Sequence, residues 1–387
     1  MLTCCRPSQY YIITFSEPLA PKAQLTLSIS YYVLAAVTPL PAQIQQQDKQ
    51  YLTYTFSAYF PSAYPTLKQK TNVKLASADI PDYTTTTGLT KSKDPEVQGT
   101  KLTYGPYDNK IEAGAVYPVT VRYEFTKPVL VASLLERDVE VSHWGGNLAV
   151  EERYWLRNDG ATLKDNFNRV TWATQNFYQQ APTSALKELK VPLKAGSADA
   201  YFTDDIGNVS TSRFRPSEVR DASLELKPRY PVFGGWKYNF KLGWNNALGS
   251  FVRKLKTPSD TYVLALPFIE GPKMSEGIQY ERMQFRVVLP EGSKIVQWET
   301  TGAHLPLLTE SQGLHKTFMD TLGRTTLTLS TTNVVDDLRD MEVLISYEYT
   351  FGSALRKPIS IIAAFATVFV VAWLLSLVDT SIGRKQK

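Results

Sequence analysis

Four carboxylates, Glu151, Glu152, Asp204 and Asp205, lie in adjacent pairs and are the groups best placed by type to do acid–base chemistry. A glycosidase needs two carboxyl groups about 5–9.5 Å apart across the bond it cleaves. Nothing in the spacing of these four separates such a pair from solvated surface. The three histidines, His143, His304 and His315, lack the H-x-x-x-H or H-x-x-E-H spacing that gathers zinc ligands. No G-x-S-x-G elbow, P-loop or G-x-G-x-x-G occurs. Cys4 and Cys5 are the only cysteines and are adjacent, which builds neither a disulfide framework nor a zinc site. The expectation is a chain with no catalytic, cofactor-binding or metal-binding residues of its own. A net charge of +5 with no basic cluster leaves no nucleic-acid footprint.

His143-Trp144-Gly145-Gly146 is the most specific short stretch. Trp144 could stack on a sugar or peptide. The expected alternative is that Trp144 packs in a core, the glycines permit a tight turn and His143 bonds locally. Phe233-Gly-Gly-Trp236 reads the same way.

Such residues must be held by something, and the dominant signal is alternation with period two. Residues Gln24–Val33, Val116–Phe125, Met283–Leu289, Thr325–Ser330 and Glu342–Tyr349 each put apolar or aromatic side chains on one face, the mark of half-buried strands. The 22 tyrosines suit pleated, half-exposed surfaces. Turn signals stand at 18–21, Tyr104–Asn109, Pro290–Gly292 and Phe233–Trp236. Thr183–Lys190 is the expected short helix outside the apolar C-terminal segment. At 43% hydrophobic and 12% aromatic residues the chain forms a core rather than a disordered stalk. Its length suggests two β-rich domains, with a seam near Ser133 where Glu136-Arg-Asp138 follows a strand-like run.

Ile359 to Val378 carries no charge, and as a helix of about 1.5 Å per residue it spans roughly 30 Å, the hydrocarbon thickness of a bilayer. Its Ser360, Thr367 and Ser376 hydroxyls can bond the helix's own carbonyls. Pro358 is expected at the helix start, where its missing N–H costs nothing. Arg356 and Lys357 before the span, against Arg384, Lys385 and Lys387 after it, lean toward a cytoplasmic C-terminus. Residues 1–20 do not make a signal peptide, since Pro7 and Pro18 bound the short apolar run 10–15. Two readings stand: an incomplete N-terminus, or a tail-anchored protein with a cytosolic domain. The sequon Asn208-Val-Ser210 lies among acidic, Gly and Ser/Thr residues that read as an exposed turn.

Val139–Ala161, containing Val-Glu-Val-Ser-His-Trp-Gly-Gly-Asn-Leu-Ala-Val-Glu-Glu and Leu-Arg-Asn-Asp-Gly-Ala, resembles the signature stretch of the ribophorin I family. Further blocks agree in order: Val73–Ser77, Tyr104–Tyr107, Asp205–Ser212, Lys227–Lys237 and Phe318–Arg324. The resemblance runs from about Tyr11 through the apolar segment. It implies a mostly β protein: a first lumenal β-sandwich-like domain over 1–133, a second over 134–355, a transmembrane helix over 358–378 and a cytosolic tail over 379–387. The family is a single-pass subunit of the endoplasmic-reticulum oligosaccharyltransferase, which moves a preassembled glycan from dolichyl diphosphate to Asn in N-x-S/T. Catalysis there belongs to a different, multispanning subunit. The family has a signal peptide and a longer first domain, so residues 1–133 are expected to be incomplete at their N-terminus.

Implied partners are the catalytic and accessory subunits of that complex, the membrane, the translocon and nascent polypeptides. The resemblance also implies an N-glycan on Asn208 in the lumen. In the span, Ala363 and Ala366 are small residues able to let a partner helix approach. The alternative of another class is a free-standing β-sandwich ectodomain of receptor or adhesion type on the same anchor.

Overall fold

The computed structural model describes residues 12, 14–15, 18–86, 94–179, 181–257, 260–302, 306–317 and 320–378, apart from the side chain of residue 177. Cys4, Cys5, His304 and the tail 379–387 lie outside the described residues. The chain separates into two units, Met1–Leu34 and Ala35–Lys387.

In the first unit no strand forms over 24–33, against expectation. Alternation stabilises a strand only when a neighbour accepts its hydrogen bonds and covers one face. Leu25, Leu27 and Ile29 are instead at least half exposed.

The second unit is built on an eight-stranded sheet. Its order is Gly207–Asn208, Ala198–Asp204, Lys237–Ala247, Asn147–Asn158, Leu130–Ser142, Ile278–Glu291, Arg324–Val335 and Thr309–His315. All neighbours are antiparallel except 130–142 and 278–291, which run parallel. Burial alternates residue by residue along 147–158, so one face is dry. A four-stranded sheet (Val252–Lys254, Thr261–Pro267, Glu342–Glu348, Lys294–Thr301) and a three-stranded one (Leu189–Leu193, Ala222–Leu226, Arg213–Arg215) share its core. A separate core, including Leu102, Tyr104, Val119 and Val121, serves the short sheets of residues 37–124. Ser133 lies inside the 130–142 strand and donates its hydroxyl to the Trp155 carbonyl. The chain passes from one core to the other between Val121 and Leu130.

The expected strands over 283–289 and 325–330 fall within observed ones, and those over 116–125 and 342–349 form as the slightly shorter Pro118–Glu124 and Glu342–Glu348. Two further expectations fail. Thr183–Lys190 is not a helix: Leu186 bridges to Val232, and Leu189–Leu193 pairs with 222–226, burying every second residue. Tyr104–Asn109 is not simply a turn, because strand Lys101–Tyr107 runs through it. Two partner steps, Gln69 to Thr71, oppose three, Tyr107 to Tyr104. Gly105, at φ +82°, takes up the resulting bulge. The short helix present is Arg169–Ala173, capped by the Asn168 side chain, which accepts from the Val170 and Thr171 amides.

Glu136-Arg-Asp138 is strand rather than linker, and its middle residue is fully buried. Arg137 is ion-paired with Glu152, its cross-strand neighbour, and with Glu270 at 2.6 Å. Tyr154 donates its hydroxyl to the other Glu152 oxygen at 2.8 Å. A Cβ on Gly271 would stand 1.7 Å from that hydroxyl, so the loop carrying Glu270 approaches only as glycine. Burial pushes the Glu270 carboxyl up, and Arg137 opposes that shift. Arg137→Met leaves two carboxylates without their cation and is expected to cost about 3–5 kcal/mol, measured by urea unfolding of the detergent-solubilised chain. A loss below about 1 kcal/mol would mean that the triad does not hold the sheets together.

Candidate functional site: the helix–ectodomain junction

The long helix runs Phe351–Ser376, starting at a Thr350 cap whose hydroxyl accepts from the Ser353 amide. It begins seven residues before Pro358, so the proline is interior rather than at the first turn. None of its residues is buried. Ser360, Thr367 and Ser376 each donate to a carbonyl of the same helix, as expected: Lys357, Ala363 and Trp373 respectively. This 26-residue helix, with Ala354 packed against the large core and an uncharged stretch from Ile359 onward, is long and apolar enough to cross a bilayer.

An interior proline removes one amide and leaves the carbonyl four residues earlier without its helical partner. That carbonyl belongs to Ala354. The Trp144 indole donates Nε1–H to it at 2.8 Å. The orphaned acceptor is therefore satisfied by the hairpin between strands 130–142 and 147–158, whose tip is His143–Gly146 with Gly146 at φ +59°. The expectation that Trp144 packs in a core fails: it is 65% exposed. Its polar edge has a partner on the helix instead. His143 bonds not a local residue but one far along the chain, its Nε2 2.7 Å from the Tyr347 hydroxyl, with its ring against Tyr262 and Tyr349. Burial pulls its pKa down, keeping the ring neutral at neutral pH.

Two more loops hold the same helical turns. Ser353 donates its hydroxyl to the Gly292 carbonyl at 3.2 Å. Lys357 pairs with the buried Asp320 at 3.2 Å. Asp320 also accepts from the Thr317 amide and hydroxyl and pairs with Arg324. Glu291 accepts from the Thr321 and Leu322 amides and the Thr321 hydroxyl, each at 2.7 Å. Because 130–142 and 278–291 are parallel, and 324–335 is antiparallel to the latter, all three loops emerge at one end of the large sheet. An open cavity of about 440 Å³ lies between this end and the helix, lined by His143, Trp144, Tyr262, Tyr349, Phe351 and Leu355 among others.

The other singled-out residues are dispersed. Glu151 and Glu152 point to opposite faces of one strand: Glu151 binds Arg153 and Tyr201, while Glu152 binds Arg137. Asp204 holds Arg229 and the Tyr238 hydroxyl, and Asp205 accepts from Asn239. The four carboxylates are each committed to a partner, and no metal-holding group of three His, Cys, Asp or Glu occurs among the described residues. Phe233 is buried among Phe167, Trp172 and Trp236, and a Cβ on Gly234 would lie 2.1 Å from the Ala161 carbonyl, a packing role. Asn208 is exposed on the two-residue strand at one edge of the large sheet. Ala363 and Ala366 are exposed on one helical face.

Several β-sheets with, among the described residues, one apolar helix long enough to cross a bilayer, gripped at its root by three loops, fit the class of proteins anchored in a membrane by a single helix. The chain belongs to the Ribophorin I family, whose sequence profile matches residues 5–376. It is 33% identical over 373 residues to the dolichyl-diphosphooligosaccharide–protein glycosyltransferase subunit 1 of Caenorhabditis elegans, covering 96% of this chain and 60% of that protein. Subunit 1 of Schizosaccharomyces pombe is 34% identical over 369 residues, covering 94% and 78%. Subunit 1B of Oryza sativa subsp. japonica is 32% identical over 382 residues, covering 97% and 75%. The chain thus spans about three fifths of the nematode protein and about three quarters of the other two. Among solved structures, leukotriene A4 hydrolase from Saccharomyces cerevisiae gives a TM-score of 0.32 at 9% identity over 56% of this chain and 29% of that one, too slight a likeness to carry any argument.

Trp144→Phe removes the donor to Ala354 and is expected to weaken the first helical turns by about 0.5–1.5 kcal/mol, seen as faster amide exchange over 351–357. In a Pro358→Ala background the helix regains its own amide, and the same substitution should cost less. Equal costs in both backgrounds would contradict the pairing. Burial alone would raise the Asp320 carboxyl, but its bonds from Thr317 and Lys357 outweigh this and hold it below the usual range. A depressed folded pKa adds stability above the unfolded value, about 4, that is lost as pH falls through the folded one. The Asp320→Asn chain should lose that acid-dependent step in protease resistance at the 320–357 contact.

Proposed function

We propose that this chain is a non-catalytic subunit of the oligosaccharyltransferase complex, supporting transfer of a preassembled glycan from dolichyl diphosphate to Asn in N-x-S/T. The observation that carries the reading is similarity over 94–97% of the chain to proteins named as subunit 1 of that enzyme. Its partners are then the complex's catalytic and accessory subunits, with the translocon and nascent polypeptides next to them. Its place is the endoplasmic-reticulum membrane, with the two β cores, read as two domains, in the lumen and the C-terminus in the cytosol. The free-standing receptor or adhesion reading draws no support from these relatives. Depleting the chain should lower sequon occupancy on reporter glycoproteins; unchanged occupancy would contradict the proposal.

The orientation gains support from Asn208. An N-glycan on this exposed edge strand would also screen unpaired backbone groups from other strands. Endoglycosidase should shift the mobility of the microsomal protein, and Asn208→Gln should abolish the shift. No shift in the parent chain would place the sandwich on the other side of the membrane or leave the sequon unused.

Ala363 and Ala366 are proposed to face a partner helix, because small residues permit the close backbone approach that drives helix association in lipid. Replacing both with Leu should reduce recovery of the other subunits on affinity purification. Full recovery would make the helix face an inert one.

A further inference from the structure

The end of the large sheet that grips the helix exposes several large apolar side chains. Trp144 is 65% exposed, Phe351 76% and Leu322 56%. They come from the three elements that meet there: the 143–146 hairpin tip, the helix's first turn, and the loop whose Leu322 amide is tied to Glu291. Ala354, the acceptor of the indole N–H, precedes Ile359 by five residues. At about 1.5 Å per residue this sets it roughly 7 Å from the start of the uncharged segment. The headgroup layer on each side of a bilayer is about 5–8 Å thick.

We propose, resting on the reading that this helix spans a membrane, that this end of the ectodomain is seated in the phospholipid headgroup layer with Trp144 as its anchor. Trp is enriched at this depth because its ring is apolar and its N–H needs a partner. Here the N–H is satisfied within the protein, leaving the ring free for the lipid. The charges agree: Arg356 is exposed on the helix, and Lys254 lines the cavity beside Trp144, where the lining carboxylate is Asp260. Cations at this level match lipid phosphates. The contact adds a second point of attachment, so the ectodomain is held at a fixed tilt to the bilayer rather than swinging from its helix.

Two tryptophans at two depths make the test. The full chain is reconstituted in phosphatidylcholine vesicles carrying a nitroxide either on the headgroup or midway along the acyl chain. Subtracting the emission of Trp144→Phe from that of the parent isolates Trp144, and Trp373→Phe isolates Trp373 in the same way. The headgroup nitroxide should reduce the Trp144 emission about twofold and exceed the acyl nitroxide's effect, with the reverse order for Trp373. Phe351→Trp should add emission quenched as Trp144 is, a check that does not require removing the indole. Trp373 quenched with Trp144 and the residue-351 indole untouched would overturn the headgroup contact and leave the span standing. Trp373 untouched as well would overturn the span.

Discussion

Pro358 withdraws one amide from a helix that otherwise satisfies itself, and the Trp144 indole supplies the missing donor to the Ala354 carbonyl. A backbone carbonyl without its helical partner forfeits a hydrogen bond, and the indole restores one within the protein. The hairpin between the 130–142 and 147–158 strands is thereby tied to one particular helical turn. Ser353 on Gly292 and Lys357 on Asp320 fix the adjacent turns. Rotation of the helix about its axis would break all three contacts together. The face carrying Ala363 and Ala366 therefore has a set direction relative to the sandwich.

That direction matters only if the sandwich is rigid. Arg137 in the middle of the large sheet contributes to this, drawing Glu152 from the next strand and Glu270 from a loop into one buried cluster. A buried ion triad is not an efficient source of stability, since its desolvation offsets much of its attraction. It does make alternative strand registers expensive, as a one-residue slip of either strand would turn Arg137 or Glu152 to the opposite face. The two strands this cluster registers, 130–142 and 147–158, carry the hairpin whose Trp144 holds the helix.

Much of the sandwich was legible in the sequence because one face of each strand is dry: 118–124, 278–291, 324–335 and 342–348 all show the alternation that burial imposes. Legibility failed where a non-local partner decides. Residues 24–33 have the pattern without the covered face. Leu189–Leu193 is drawn into a strand by 222–226. Gly105 lets a strand continue through residues that spell a turn. The junction was hidden for the same reason: proline before an apolar run suggests a helix start, and only the position of the Thr350 cap makes it interior. Trp144 and Ala354 are 210 residues apart, beyond the reach of local patterning. Arg137 stands in the charged stretch beside the expected seam, yet the strand's period of two turns it inward while Glu136 and Asp138 stay on the wetter face.

Two β cores, a helix root locked to one end of the larger sheet, and Glu151, Glu152, Asp204 and Asp205 each tied to a partner make up the described chain. On the proposed reading, the chain holds other subunits in position at the endoplasmic-reticulum membrane. The most direct test is affinity purification of the tagged chain from detergent-solubilised microsomes, with the co-purifying proteins identified by mass spectrometry. The account predicts stoichiometric recovery of multispanning glycosyltransferase subunits. Recovery of the chain alone would contradict it.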